Sequence, residues 1–242
     1  MHEDMETYDE KQTVIEHLTE LRRRLIYSLI AFILSTILAY RFSEIIVKNM
    51  IHNTEDIDFV FITPTELFMS HIKIAVIGGA ILALPIILFN IWMFAKPGLT
   101  SHERRSVLKA TSLSGILFII GALFGYLIVL PLTIDFFTSF QIDGIKPMIS
   151  FSSYLSFTIS FVLAFSIVFQ LPILMTIVVK FGLVSTNTLN KNKKAAIIVI
   201  FVLAAILTPP DVVSQVLLAI PMILLFEIGM FFAKMVENKE DS

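Results

Sequence analysis

The residues of this chain best suited to chemistry are two carboxylates set among arginines. Glu20 stands in His17-Leu18-Thr19-Glu20-Leu21-Arg22-Arg23-Arg24, and Glu103 is the only acid in Ser101-His102-Glu103-Arg104-Arg105. A carboxylate matches a guanidinium in fork geometry, and the contact strengthens beside low-dielectric lipid. Two such groups at one membrane face would form a receptor for guanidinium groups; the simpler alternative is that each pairs with its own neighbouring arginines or is merely solvated. Gln170 is a third candidate, an amide in apolar surroundings that hydrogen-bonds but does not ionise. Enzymatic motifs such as HExxH and GxSxG are missing, and so is a phosphate-cradling glycine loop. There is no cysteine, which removes disulfides and thiolate chemistry. The expectation is a binding protein and not an enzyme, with no metal and no cofactor.

These groups must be positioned by membrane helices. Uncharged tracts run over 25–40, 74–95, 110–134, 147–179, 195–210 and 212–226. Several exceed the roughly 18 to 20 apolar residues that cross ~30 Å of hydrocarbon. The fold class expected is an all-α membrane protein of six transmembrane helices, a kinked concave bundle. Spans five and six are expected to be short, since 195–208 gives only ~21 Å of helix and 212–226 little more. A short hairpin of this kind thins the bilayer or draws polar residues inward. Its turn is Thr208-Pro209-Pro210-Asp211.

Lys and Arg give the orientation, because cytoplasmic loops retain them. Lys11 and Arg22 to Arg24 precede span one; Lys96, Arg104, Arg105 and Lys109 lie between spans two and three; Lys180, Lys191, Lys193 and Lys194 lie between four and five; Lys234 and Lys239 follow six. The other connections hold only Arg41, Lys48, Lys73 and Lys146. Both termini are therefore expected in the cytoplasm, with the chain multi-pass in the cell membrane. Hydrophobic content of 56%, 16% charged residues and a net charge of -2 exclude a nucleic-acid protein and name the bilayer as partner.

Residues 1–12 hold five acids and one Lys, and read as a mobile acidic tail. A single domain is expected over 13–236, with a cytoplasmic tail over 237–242. The charged first 24 residues lack the apolar core of a cleaved signal peptide, so span one is expected to stay. Ile15, Leu18, Leu21 and Leu25 have the spacing of an amphipathic helix lying along the interface before turning into span one at 25–42. The connection 43–64 is expected to carry a separate short helix as an outer cap. Glu66 and Lys73 are placed at or beyond the outer interface, about 45 and 35 Å from Lys96, as unburied charges. Lys96-Pro97-Gly98 ends span two. Gly121 and Gly125 have GxxxG spacing, which permits close helix approach. Pro85, Pro131, Pro172 and Pro221 favour kinks. Glu227 falls near the inner interface as a stabilising charge.

A family resemblance lies in the segment HLTELRRRL, the loop from Trp92 and Phe94 through Lys96-Pro97-Gly98-Leu99 to His102-Glu103-Arg104-Arg105, Tyr154-Leu155-Ser156-Phe157, Leu207-Thr208-Pro209-Pro210-Asp211, Ala219-Ile220-Pro221 and Phe226-Glu227-Ile228-Gly229. Together, in this order and over nearly the whole chain, they resemble the TatC family, the multispanning subunit of the twin-arginine protein translocase. The resemblance implies a receptor and core subunit that binds twin-arginine signal peptides of folded cargo. It implies that single-span TatA-type subunits are recruited, with TatB-like ones in some systems, that export is driven by the proton-motive force, and that copies assemble in the complex. By the same resemblance Glu20 and Glu103 would meet the paired arginines, Leu21, Arg22, Phe94 and Pro97 would shape the site, and Pro209, Pro210 and Asp211 would form the outer hairpin.

Two departures accompany it. Gln170 stands where relatives commonly carry glutamate, about 15 Å from Lys180 by helix rise, so it is expected to make a polar contact to a partner helix or within the bundle, without direct proton transfer. Val47-Lys48-Asn49-Met50-Ile51 lacks the proline common in that connection. An ion-coupled secondary transporter is the competing reading, but it would need midplane charges and repeated halves. An intramembrane enzyme would need a nucleophile or metal set at depth.

Overall fold

The computed structural model describes residues 14–52, 58–98, 101–139, 148–207 and 212–240. Helix α1 (Val14–His52) is one uninterrupted rod of 39 residues, about 58 Å long. This corrects two expectations: there is no turn between the interfacial segment and span one, and no separate outer cap helix. The reason is local, for no Gly or Pro occurs between Val14 and His52, so nothing removes a backbone hydrogen bond. The missing proline at 47–51 is what lets the helix run on.

Helix α2 (Thr65–Ala95) ends in a 3-10 turn at Lys96–Gly98, as the turn signal requires. Span three is α3 (Ser101–Phe124), a π-helical turn at Gly125–Val129, and α4 (Leu130–Thr138), whose second residue is Pro131. Span four is α5 (Phe151–Val168) and α6 (Leu171–Lys180), broken at Phe169 and Gln170 just before Pro172. Of the kinks expected, that at Pro131 is present as a π-helical turn in the residues before it, within a continuous helix, and that at Pro172 as a break between α5 and α6. Pro85 and Pro221 stay inside continuous helices. The short α7 (Thr186–Lys191) leads to α8 (Lys193–Leu207) and α9 (Val212–Glu240). Among the described residues five helices are long and apolar enough to cross a membrane; α8, apolar but only 15 residues long, stands where the sixth span is expected.

The fifth helix is short as expected, 15 residues or about 22 Å. The sixth is not. Its uncharged stretch ends at Phe226, but the helix continues through Glu227, Lys234 and Glu237 to Glu240 for 29 residues, so most of the expected tail at 237–242 is helical. The acidic segment 1–12 and the turn Pro209-Pro210-Asp211 lie outside the described residues.

One small element is not helical. Strand β1 (Asp58–Val60) pairs in parallel with β2 (Met148–Ser150), with Phe59 opposite Ile149. It ties the connection after span one to the entry of span four. Phe59 packs on Phe151 and Tyr154, with ring centroids 5.6 and 5.0 Å away.

Lipid is as apolar as the side chains it meets, so burial in the membrane does not select which helix faces which; close packing and polar contacts do. At Gly79 a Cβ would lie 2.5 Å from Thr36 Cα, so α2 can lie this close to α1 only with glycine there. At Gly121 and Gly125 a Cβ would lie 2.6 Å from Phe165 O and 3.0 Å from Phe161 O, which bears out the close approach expected of this GxxxG pair, here of span three against α5. The main core joins Phe161, Phe165 and Val168 of α5 to Ile200 of α8 and to Leu218, Met222 and Phe226 of α9. A second cluster, Val47, Met50, Ile74, Phe151, Tyr154 and Leu155, holds α1 and α2 to α5.

Candidate functional site

The first two helices build the site. α1 packs chiefly along α2, which brings its N-terminal turns beside the end of α2. His17 stacks on Phe94, ring centroids 4.4 Å apart at 21°. One turn on, Glu20 Oε1 accepts a hydrogen bond from an Arg24 terminal nitrogen at 3.1 Å, and the two side chains are 19% and 21% exposed. Glu20 Oε2 accepts no bond among the described residues. A shallow cleft of about 380 Å³ runs along this face, lined by Ile15, Glu16, Thr19, Glu20, Arg23 and Arg24.

The arginines divide their work. Arg23 turns to Tyr27, with Nε donating to the phenol at 3.0 Å and the guanidinium 5.5 Å from the ring centroid. Arg24 holds Glu20, and its own Nε is buried without an acceptor. Arg22 is exposed and makes no polar contact among the described residues, so the residue that steadies Glu20 is Arg24 and not Arg22. Leu21 is also exposed, at 42%.

Across the turn, Pro97 is exposed and Phe94 half-buried. Lys96 Nζ lies 5.6 Å from the Trp92 ring centroid, and Arg104 Nε donates to the Lys96 carbonyl at 3.2 Å. That last bond folds the first turn of α3 back over the end of α2. Glu103 belongs to this turn; its side chain lies outside the described residues. The structure thus brings Glu20 and Phe94 to the same end of the α1–α2 pair, with the Pro97 turn and the start of α3 beside them. The Glu20–Arg24 pair is the simpler alternative expected of this carboxylate, a neighbouring arginine as partner, whereas no sequence signal gave the His17–Phe94 stack.

Gln170 lies at the break between α5 and α6 and is hydrogen-bonded inside the bundle. Its Oε1 accepts from Ser114 Oγ of α3, while Nε2 donates to the carbonyls of Ser114 and Ser166, each at 3.2 Å. Glu227 pairs with Lys193 of α8.

Glu66 corrects the expectation of an unburied charge, for it is only 8% exposed. Its Oε2 accepts from the backbone N–H groups of Ile62 at 2.8 Å and Thr63 at 3.4 Å, and its Oε1 accepts from Ser150 Oγ and from Ser152 N at 3.0 Å. Two turns deeper along α2, Lys73 Nζ donates to Ser156 Oγ at 2.9 Å. No sequence signal links position 66 to position 150. Among the described residues no cluster of His, Cys, Asp and Glu could hold a metal ion.

Helices of membrane-spanning length and a face presenting a half-satisfied carboxylate define a multispanning membrane protein with a candidate binding face. The comparisons make this specific. The family model "Sec-independent protein translocase protein (TatC)" matches residues 16–221. The TatC protein of Carboxydothermus hydrogenoformans is 40% identical over 97% of this chain and 98% of its own, and that of Aquifex aeolicus is 38% identical over 93% and 96%. A crystal structure of the twin-arginine translocase receptor TatC superposes with a TM-score of 0.80 at 37% identity, covering 91% of this chain and 99% of the other. A second, in dodecyl maltoside, gives 0.81 at 38% identity, covering 90% and 99%. The chain belongs to the TatC family.

Proposed function

We propose that this chain is the receptor and core subunit of a twin-arginine translocase, binding the paired arginines of signal peptides at the cytoplasmic face and recruiting TatA-type single-span subunits. The observation that carries the reading is Glu20. Its Oε1 is held by Arg24, which fixes the carboxylate, while Oε2 remains open to an incoming guanidinium. A second cation can thus be gained without breaking the first contact, and partial burial strengthens it. The His17–Phe94 stack and the exposed Leu21 supply apolar surface beside that carboxylate, where the residues next to a signal peptide's arginines would lie. Glu103, in the helix turn folded over the end of α2, is the second carboxylate. Arg22, which has no polar contact of its own, is suited to a lipid phosphate or a partner carboxylate.

Both termini face the cytoplasm in this reading, which places the Glu20 site where unexported cargo is found. Cargo export draws on the proton-motive force, and copies of the chain assemble in the complex, with a TatB-like subunit where one exists. Gln170 remains the proposed intramembrane contact for a partner helix, through the outer side of an amide already bonded to Ser114, and the Pro209-Pro210-Asp211 turn forms the outer hairpin. The test is photocrosslinking from a probe at Phe94 to a signal peptide. A twin-arginine peptide should crosslink and its twin-lysine counterpart should do so far less; equal crosslinking would sink the reading.

A further inference from the structure

At the end of the bundle where α3 begins and α6 and α9 finish, the three helices leave a cleft of about 480 Å³ that the receptor reading does not use. Its character changes with depth. Lys109 of α3 and Lys180 of α6 stand at the mouth, and the walls below are Leu113 and Leu117 of α3, Ile173 of α6 and Phe232 of α9. By helix rise Leu117 lies about 12 Å deeper than Lys109, and Ile173 about 10 Å deeper than Lys180. Two cations therefore cap an apolar slot at the level where lipid headgroups give way to acyl chains.

The cations are available. Among the described residues no Asp or Glu lines the cleft, and neither Lys109 nor Lys180 forms an ion pair. Lys180 Nζ donates to Ser106 Oγ at 2.6 Å, which aims the ammonium across to α3 and leaves further N–H groups for an anion. The acid nearest in sequence to the α9 wall, Glu237, is occupied in accepting from Thr186 N at 3.1 Å and from the Thr186 hydroxyl. Lys180 is held at this level by the helix end that follows it: Gly182, at φ 65°, donates to the Val179 carbonyl and Leu183 to that of Val178, which stops α6 abruptly. Charge complementarity excludes an arginine-bearing peptide here and selects an amphiphile with an anionic head.

We propose that this cleft binds one anionic phospholipid, its phosphate held by Lys109 and Lys180 and an acyl chain lying against Leu113, Leu117, Ile173 and Phe232. Basic pockets between membrane helices are suited to such headgroups, and each lysine is worth about fivefold in affinity. A bound lipid here would bridge α3, α6 and α9, the ends of spans three, four and six.

The experiment uses the full chain in dodecyl maltoside, with native mass spectrometry counting bound lipid as phosphatidylglycerol or phosphatidylcholine is titrated in. Phosphatidylglycerol should give a first adduct at concentrations at least about fivefold lower than phosphatidylcholine. Lys109→Gln with Lys180→Gln should abolish that preference, and the Lys→Arg pair should keep it. Leu113→Trp, which fills the slot and leaves both charges, should remove the adduct. Photoactivatable phosphatidylglycerol should label peptides of α3 and α6. Equal binding of the two lipids, a preference that survives the Lys→Gln pair, adducts that survive Leu113→Trp, displacement of the adduct by millimolar inorganic phosphate, or labelling of other helices would overturn the proposal. So would crosslinking of the cleft to a partner transmembrane helix in place of lipid.

Discussion

Ser114 on α3 and Gln170 at the break of span four hold each other twice: the Ser114 hydroxyl donates to the glutamine carbonyl oxygen, and the glutamine amide donates back to the Ser114 carbonyl at 3.2 Å. The chain is opened at Gln170 by Pro172, and the amide that fills the opening also bonds the Ser166 carbonyl at 3.2 Å. Gln170→Leu should therefore loosen the bundle by about 1 kcal/mol, the size of an intramembrane hydrogen bond. In a double-mutant cycle with Ser114→Ala the two losses should be less than additive, measured as thermal unfolding in detergent. Additive losses would show that the pair is not coupled. If Gln170→Leu leaves crosslinking to a single-span partner unchanged, Gln170 has no recruiting role.

Glu66 gathers four hydrogen bonds from two separate chain entries, those of α2 and α5. Removing the carboxylate orphans the Ile62 and Ser152 N–H groups together. Glu66→Ala should lower the thermal midpoint by several degrees, more than Lys73→Ala two turns away, and should leave the Glu20 face unchanged. A midpoint equal to that of the parent would mean that water replaces the carboxylate at no cost.

Orientation is checked by labelling, which the absence of native cysteine makes clean. Asn192 is exposed between α7 and α8, and Ile62 is 75% exposed before α2. Asn192→Cys should react only with reagents admitted to the cytoplasm, and Ile62→Cys with impermeant reagents from outside. The reverse pattern would put Glu20 on the wrong face for a receptor of unexported cargo.

The helical bundle was legible because hydropathy reports membrane spans directly, and the π-helical turn before Pro131 and the break before Pro172 were legible because proline removes a backbone bond. The continuity of α1 was also written in the chain, as 39 residues without Gly or Pro, but the Arg22–Arg24 cluster suggested an interface at which the helix turns. The length of α9 was misjudged because charge ends an apolar stretch without ending a helix. What could not be read is pairwise. Three-residue strands have no periodicity, and Glu66 meets Ser150 across 84 residues of chain. At the site the motif residues were legible one by one, and the Glu20–Arg24 pair is an i,i+4 contact within α1; that His17 stacks on Phe94 follows from how α1 and α2 pack.

The central claim is that Glu20 receives a guanidinium, and binding of a twin-arginine signal peptide to the purified full chain measures it most directly. Loss of a charge-assisted contact costs about 1.5 to 3 kcal/mol, so Glu20→Gln should weaken the Kd by roughly 10- to 150-fold. Glu103→Gln should act alike, and the double variant should be less than additive, since both carboxylates grip one pair of arginines. Glu20→Asp should recover part of the affinity. Unchanged affinity in Glu20→Gln, with the protein folded and inserted, would contradict the account.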